Sequence, residues 1–126
     1  MTTTKHYPSH YINGQWVKAA SSDTLLVHDS STEEVMATVP AGTEKEAEDA
    51  VLAARAAFDG WGALPVETRA AYLDKVAAGI KARSEELATA IAREVGMPLK
   101  ISKTIQVGGP AWHWGNFAKV ARNFEW

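Results

Sequence analysis

The stretch from Thr43 to Trp61, TEKEAEDAVLAARAAFDGW, carries the clearest helix signal in the chain. Thr43 and Glu46 have the spacing of a capping box, in which the hydroxyl accepts a first-turn N–H and the carboxylate reaches back to the Thr43 N–H. The acidic side chains that follow suit the positive end of the helix dipole. Asp59-Gly60 is predicted to end the helix.

One side of this helix is apolar, because five residues share it at spacings of three and four. They are Ala47, Ala50, Val51, Ala54 and Phe58. The alanines let neighbours approach closely, and Phe58 is predicted to be the anchor. The helix therefore needs a partner surface, which the strands before it and the helices after it can supply.

Composition restricts the function classes. The 126 residues suffice for one domain with a modest core, and a net charge of −2 argues against a nucleic-acid partner. The chain has no cysteine, which excludes disulfides, a thiolate nucleophile and cysteine-based metal sites. No apolar run is long enough to span a bilayer and the first residues are no secretory signal, so we expect a cytoplasmic protein without a membrane partner.

The first third of the chain predicts short antiparallel strands. Residues 1–9 are polar and are expected to be irregular. Tyr11–Val17 predicts a hairpin, because Asn13-Gly14 tolerates the positive φ angles of a type I′ turn. Two further strands are expected at Leu25–His28 and Val35–Val39. Such strands are marginal unless a helix covers one face.

The remainder predicts about four helices in all, with the Thr43 helix as the first. Apolar spacing and helix caps favour helices over about 66–82 and 85–95. A last helical region begins at Pro98. Because Pro110 cannot donate to the carbonyl of Gln106, we expect a kink or break at Gly108-Gly109-Pro110 and a helix over about 111–123. The chain stops two residues after Phe124, as either a self-contained domain or a segment of something larger would.

The residues that could take part in catalysis or metal binding are better explained by structural roles. His6 and His10 are four residues apart, but Pro8 and the lack of helical periodicity argue against a metal site. His28 ends a strand. His113 has no nearby carboxylate, and its neighbours Trp112 and Trp114 are interpreted as core or interface rings rather than a base-stacking platform. Residue chemistry alone therefore predicts a small α/β unit without an active site.

The order of elements resembles the N-terminal part of the aldehyde dehydrogenase superfamily. The resemblance runs from residue 11 to about residue 122. It is carried by the following segments: Tyr11–Val17, Val27–Pro40, Glu48–Phe58 with Trp61, Arg69–Leu73, Glu85–Ala88 and Glu94–Leu99. Two departures concern turns: Asp29-Ser30 stands where the family usually has Asn-Pro, and Glu33 where it usually has glycine. Met97 replaces a common lysine, and the glycine-proline break is not general in the family.

The resemblance implies an α/β fold in which residues 1–126 form the N-terminal edge of the cofactor-binding domain, with strands at about 10–39 and helices at about 43–123. Members oxidise aldehydes to carboxylic acids with NAD or NADP and are expected to form homo-oligomers. A cysteine thiolate attacks the aldehyde, hydride passes to the nicotinamide, a glutamate activates water, and an asparagine with a backbone N–H holds the oxyanion. None of these catalytic or cofactor-binding residues falls in this chain, so no cofactor is expected to bind to it.

The resemblance carries over only peripheral sites. Ile105, Gly109 and Trp112 are expected to face the substrate entrance, with plain core as the alternative for Ile105 and Trp112. Some members bind a structural monovalent cation, here through the backbone carbonyl of Val27 and the carboxylate of Glu94, although Glu94 also suits a surface position near a helix end.

Three hypotheses follow. The first is the N-terminal part of an NAD(P)-dependent aldehyde dehydrogenase that is inactive alone. The second is a stand-alone helical interaction module that uses exposed apolar faces. The third is a small ligand binder around Trp112 and Trp114.

Overall fold

The structure is a computed structural model that describes residues 4–126. It divides into two compact units, Met1–Gly62 and Ala63–Trp126. The first unit contains five short strands and the helix α1, and the second is helical. The strands are β1 Lys5–His6, β2 Ser9–Ile12, β3 Gln15–Lys18, β4 Thr24–His28 and β5 Val35–Pro40. The mixed α/β fold expected from the sequence is therefore confirmed.

Strands β2 and β3 form an antiparallel hairpin in which Tyr11 lies opposite Trp16. Their rings make an edge-to-face contact with centroids 5.1 Å apart. Asn13 and Gly14 at the turn have φ angles of 52° and 75°. The predicted Asn-Gly turn is confirmed, because both central residues adopt the positive φ that this turn type requires.

The other three strands form a second sheet in the order β1-β5-β4. β4 and β5 are antiparallel, but β1 runs parallel to β5, with Lys5 opposite Ala37. The antiparallel pairing of the four predicted strands is confirmed, but they lie in two sheets and the parallel β1 was not predicted. The expectation that residues 1–9 are irregular was wrong for residues 5, 6 and 9, and residues 1–3 lie outside the described part. A two-residue polar strand has no periodicity of its own, and its pairing depends on a partner 32 residues away.

The connection between β4 and β5 holds a non-glycine residue in a left-handed conformation. Glu33 has a φ of 61°. The side chain of Asp29, which is buried, accepts the Ser31 N–H at 3.0 Å, and the Asp29 N–H donates to the Glu34 carbonyl at 2.9 Å. Glutamate stands at the position where the resemblance leads us to expect glycine, so this turn carries backbone strain that glycine would relieve.

Helix α1 spans Glu44–Gly62 and begins with the predicted capping box. The Thr43 N–H donates to Glu46 Oε2 at 2.8 Å, and the Glu46 N–H donates to Thr43 Oγ1 at 3.3 Å. The helix continues two residues beyond the predicted end at Gly60. Its start is thus confirmed, and its end is slightly later than expected.

The predicted packing face of α1 is confirmed for its alanines, but the anchoring role of Phe58 was wrong. Val51 and Phe58 are 67% and 65% exposed, and no residue of α1 is buried. The α1 residues that line shallow clefts with the β2–β3 hairpin are Ala47, Ala50, Ala53, Ala54 and Ala57, of which only Ala53 and Ala57 were not predicted. Periodicity identified the helix and its alanine face, but it also gave an anchoring role to Phe58, which remains exposed in this unit.

The second unit consists of α2 Val66–Ala82, α3 Ser84–Val95, α4 Leu99–Ile101, a π-helical segment Ser102–Val107 and α5 Gly108–Asn123. The predicted bounds of the second and third helices are confirmed within a residue. Gly96 follows α3 with a φ of 67°, which is the left-handed helix ending that glycine favours.

The expected break at residues 108–110 is a change of helix type instead. The Gly108 N–H donates to the carbonyl of Lys103, five residues earlier, and to that of Ile105. Because the π-helical segment ends just before Gly108, Pro110 lies in the first turn of α5, where a missing N–H costs least. The chain therefore stays helical through the glycine-proline motif.

The buried residues of the second unit are nearly all small. They are Ala70, Ala88, Ser102, Val107, Ala111 and Ala118. Helices α2 and α5 are antiparallel neighbours, since Gly115 lies against Ala77 while Arg122 bonds to Glu67. Small side chains let the two helix backbones approach and leave an open groove along one side of the contact.

Candidate functional site

A concave feature of the second unit is the α2–α5 groove, a cavity of about 440 Å³ between those two helices. Its lining residues are Asp74, Ala77, Ala78 and Lys81 from α2, and Gly108, Ala111, Trp112, Gly115, Asn116 and Lys119 from α5. The volume lies in the range of small-molecule pockets in proteins. The groove combines an apolar floor with a few polar groups at its rim.

The structure brings one of the three predicted entrance residues to this groove. Trp112 lines it with 64% of its surface exposed, and its ring meets His113 edge to face at 5.1 Å. Ile105 belongs to the π-helical segment and is 58% exposed, and Gly109 is half-buried in the first turn of α5. The exposure of Ile105 and Trp112 argues against the alternative that they are core residues of this unit.

A branched ion pair closes one end of the α2–α5 contact. The Arg122 guanidinium donates to both carboxylate oxygens of Glu67, with a shortest distance of 2.8 Å, and to Asp74 Oδ2 at 2.8 Å. The hydrogen bonds from Arg122 lower the pKa of Glu67, and the same bonds raise the pKa of Arg122. The Asp74 carboxylate at the groove therefore shares one cation with Glu67.

A second polar cluster, which sequence reasoning found only in part, lies in the first unit. Glu46 accepts the Ala20 N–H at 2.9 Å in addition to the N–H and hydroxyl of Thr43. These bonds, led by that of Ala20, lower the pKa of Glu46 to about 2. His10 Nε2 is buried without a hydrogen bond and lies 3.8 Å from Glu46 Oε1. The capping box predicted the Thr43 contacts, but no local pattern indicated the long-range ones.

The possible metal-binding residues are not clustered. His6 Nδ1 is hydrogen-bonded to Thr38 Oγ1 at 2.8 Å, whereas His10 faces Glu46. Within residues 4–126, no group of three or more His, Asp or Glu residues could hold a metal ion. Val27 lies in β4 beside a bulge and Glu94 lies in the last turn of α3, so a cation held by these two residues stays a prediction.

Sequence reasoning missed Ser102. This residue is completely buried, and its hydroxyl donates to the Ala88 carbonyl at 2.8 Å, which ties the π-helical segment to α3. A single serine between exposed lysines gives no signal of burial. Its hydroxyl is engaged in a structural bond, so it is no candidate nucleophile.

None of the helices in the described part of the chain is long and apolar enough to cross a membrane.

Comparisons of sequence identify the family. The aldehyde dehydrogenase family model matches residues 16–126. A 3-succinoylsemialdehyde-pyridine dehydrogenase from a Pseudomonas species is 31% identical over 122 residues, which cover 96% of this chain and 26% of the relative. A malonate-semialdehyde dehydrogenase from Shouchella clausii is 37% identical over 101 residues, or 79% of this chain and 21% of the relative.

Solved structures agree. The lactaldehyde dehydrogenase of Escherichia coli has a TM-score of 0.90 and 32% identity, over 98% of this chain and 25% of that protein. An aldehyde dehydrogenase of Pseudomonas syringae, crystallised with NAD+ and octanal, gives the same two values over 99% of this chain and 27% of that protein. The chain belongs to the aldehyde dehydrogenase family, and it spans about a quarter of the length of the relatives it matches.

Proposed function

We propose that this chain is the N-terminal segment of an NAD(P)-dependent enzyme that oxidises an aldehyde to a carboxylic acid. The observation that carries the proposal is the family match over residues 16–126 in a chain that covers only about a quarter of its relatives. The relatives named above are dehydrogenases of aldehydes, and the Pseudomonas syringae structure holds NAD+ and octanal. Homo-oligomerisation and a cytoplasmic location remain predictions of the same proposal.

The proposal assigns the chemistry to residues outside this chain. The family resemblance implies a cysteine nucleophile, and this sequence has no cysteine. A thiolate is needed because it forms the covalent intermediate from which hydride leaves. We therefore expect the 126-residue chain to be inactive alone and to hold no cofactor, while the full enzyme uses NAD or NADP.

The contribution of this chain to the full enzyme would be the wall of the substrate entrance. Ile105 and Trp112 present large apolar surfaces to solvent on successive turns of one helical region, with Gly109 between them. Glycine at the middle position leaves room where a side chain would project. This arrangement suits the passage of a small aldehyde, and the assignment rests on the family resemblance.

The test compares this chain with the longest product of the same gene, assayed with a panel of aldehydes and with NAD or NADP. We expect turnover only in the longer product. Replacing Gly109 with phenylalanine in that product should raise the KM for bulky aldehydes with little change in kcat, whereas the matched change Gly60→Phe on exposed α1 should leave both unchanged. A longest product without aldehyde oxidation would overturn the proposal.

A second candidate function is a stand-alone interaction module. It is favoured by the large apolar side chains that α1 leaves exposed: Val51, Leu52, Phe58 and Trp61. Such a surface on an isolated chain promotes association. This reading predicts a defined complex in solution that dissociates when Phe58 is changed to serine, with no dehydrogenase activity in any product of the gene.

A further inference from the structure

The floor of the α2–α5 groove is made by side chains too small to fill it. Ala77 and Ala78 on α2 face Gly108, Ala111 and Gly115 on α5. A methyl group added at Gly115 would meet the Cβ atom of Ala77 at 3.8 Å, which is ordinary contact distance. The two helices therefore lie close together at Gly115, where a methyl group would still fit, and the apolar space beside this contact stays open.

The charged groups of the groove are not balanced. The carboxylate of Asp74 is bound by Arg122. Lys81 and Lys119 also line the groove, and neither ammonium group has an ion-pair partner among residues 4–126. A groove that holds two lysines without direct ion-pair partners favours an anion.

Helix geometry places the two lysines at opposite ends of the groove. Ala77 and Gly115 mark the crossing of two antiparallel helices, and each lysine follows its marker by four residues. With a rise of about 1.5 Å per residue, each lysine backbone lies about 6 Å from the crossing, in opposite directions. A small ligand bound at one end of the groove is therefore closer to the ammonium group of one lysine than to that of the other.

The end nearer Lys81 is the more positive. At the opposite end, Arg122 shares one positive charge between Glu67 and Asp74, and the negative charge that remains there offsets that of Lys119 through space. Lys81 has no such offset. Trp112, which lies three residues before Gly115, is on the Lys81 side of the crossing and exposes its ring there. The indole ring can stack on a flat apolar group while the ammonium group binds its anion.

We propose that the α2–α5 groove binds a small aromatic carboxylate, with its ring against Trp112 and its carboxylate at the Lys81 ammonium group. The apolar floor of alanine and glycine accepts the edge of the ring. The Asn116 amide, also on the lining, can donate to a carboxylate oxygen. This site does not depend on the dehydrogenase activity of a longer product, since all of its residues are in this chain.

The test is a titration of the 126-residue chain with naphthoate, followed by the amide NMR signals of the groove. We expect binding that weakens with added salt, and shifts centred on Lys81, Trp112 and Gly115. Lys81→Met should weaken binding about fivefold, because the charge-assisted bond lies in a solvent-open groove. Lys119→Met should change it less than about twofold. The matched control Lys100→Met, an exposed lysine outside the groove, should have no effect.

A neutral ligand and two ring variants complete the experiment. Naphthamide should bind the unchanged chain about as weakly as naphthoate binds Lys81→Met. Trp112→Ala should weaken naphthoate about tenfold, and Trp112→Phe should restore much of the loss. Equal effects of Lys81→Met and Lys100→Met would overturn the proposal. So would groove signals that shift on dilution without ligand, because a second copy of the chain would then occupy the groove.

Discussion

Helices α1 and α5 differ in how well their local sequence signals agree with their burial. α1 has a capping box, a continuous apolar stripe and alanine-rich composition, yet none of its residues is buried. α5 begins with Gly108-Gly109-Pro110 and has no side-chain cap, yet it buries Ala111 and Ala118. Local signals therefore determine where a helix begins, whereas burial depends on the partner that the fold brings to it.

The largest effect on stability is expected when a buried alanine of α5 and an exposed alanine of α1 are each replaced with leucine. Ala118 is completely buried, so Ala118→Leu should lower the free energy of unfolding by about 2–3 kcal/mol. The matched change Ala56→Leu on exposed α1 should stay within about 0.5 kcal/mol. Urea unfolding of each variant measures the effect. Equal losses would mean that α1 is as tightly packed as α5.

Acid titration sharpens the comparison at the start of α1. The pKa of Glu46 is about 2 in the folded chain, whereas that of a free glutamate side chain is near 4.5. A folded-state pKa below the unfolded one contributes stability above about pH 4.5, and this contribution is lost as the pH falls towards about 2. Glu46→Gln should abolish this contribution, so the variant should lose less stability than the unchanged chain as the pH falls. Unfolding midpoints measured at several pH values test this. Glu48→Gln, which changes an exposed carboxylate of the same helix, should keep the contribution.

Removing the threonine side chain of the same capping box should have a smaller effect on stability. Thr43→Ala removes the hydroxyl that accepts the Glu46 N–H and is expected to cost about 1 kcal/mol. Faster hydrogen exchange should appear in the first turn of α1. The control Thr68→Ala changes an exposed threonine in the first turn of α2, and it should leave exchange in α1 as it was.

The smallest expected effect has the opposite sign. Glu33 has a φ of 61°, so Glu33→Gly should stabilise the chain by about 0.5–1 kcal/mol despite the greater freedom of glycine when unfolded. Glu34→Gly, one residue later, has no positive φ to relieve and should destabilise it. Thermal unfolding of the two variants distinguishes these signs. A loss of stability in Glu33→Gly would show that the turn is not strained.

The features that the sequence predicted correctly depend on residues that are close together in the chain. The Asn13-Gly14 turn, the Thr43 cap and the bounds of α2 and α3 depend on contacts within a few residues, and all are confirmed. The resemblance to the aldehyde dehydrogenases, which depends on the order of such elements, is confirmed as well.

What it could not predict depends on distant partners. Strand β1 pairs with a strand about 30 residues later, and Ser102 is buried because Ala88 offers it a carbonyl. The π-helical segment accommodates Pro110 by shifting the hydrogen-bond register upstream, which a rule about single prolines does not anticipate. Of the candidate site, Trp112 was named from the resemblance, but Lys81 joins it only because α2 and α5 are antiparallel.

Dehydrogenase activity is expected to require a cysteine nucleophile, which this chain does not contain. The most direct measurement is NADH formation by the purified 126-residue chain with an aldehyde such as octanal and excess NAD+. We expect a rate no higher than that of buffer, because no thiolate is available to attack the aldehyde. Sustained NADH formation that disappears with Trp112→Ala would contradict this expectation, since the chain itself would then hold an active site.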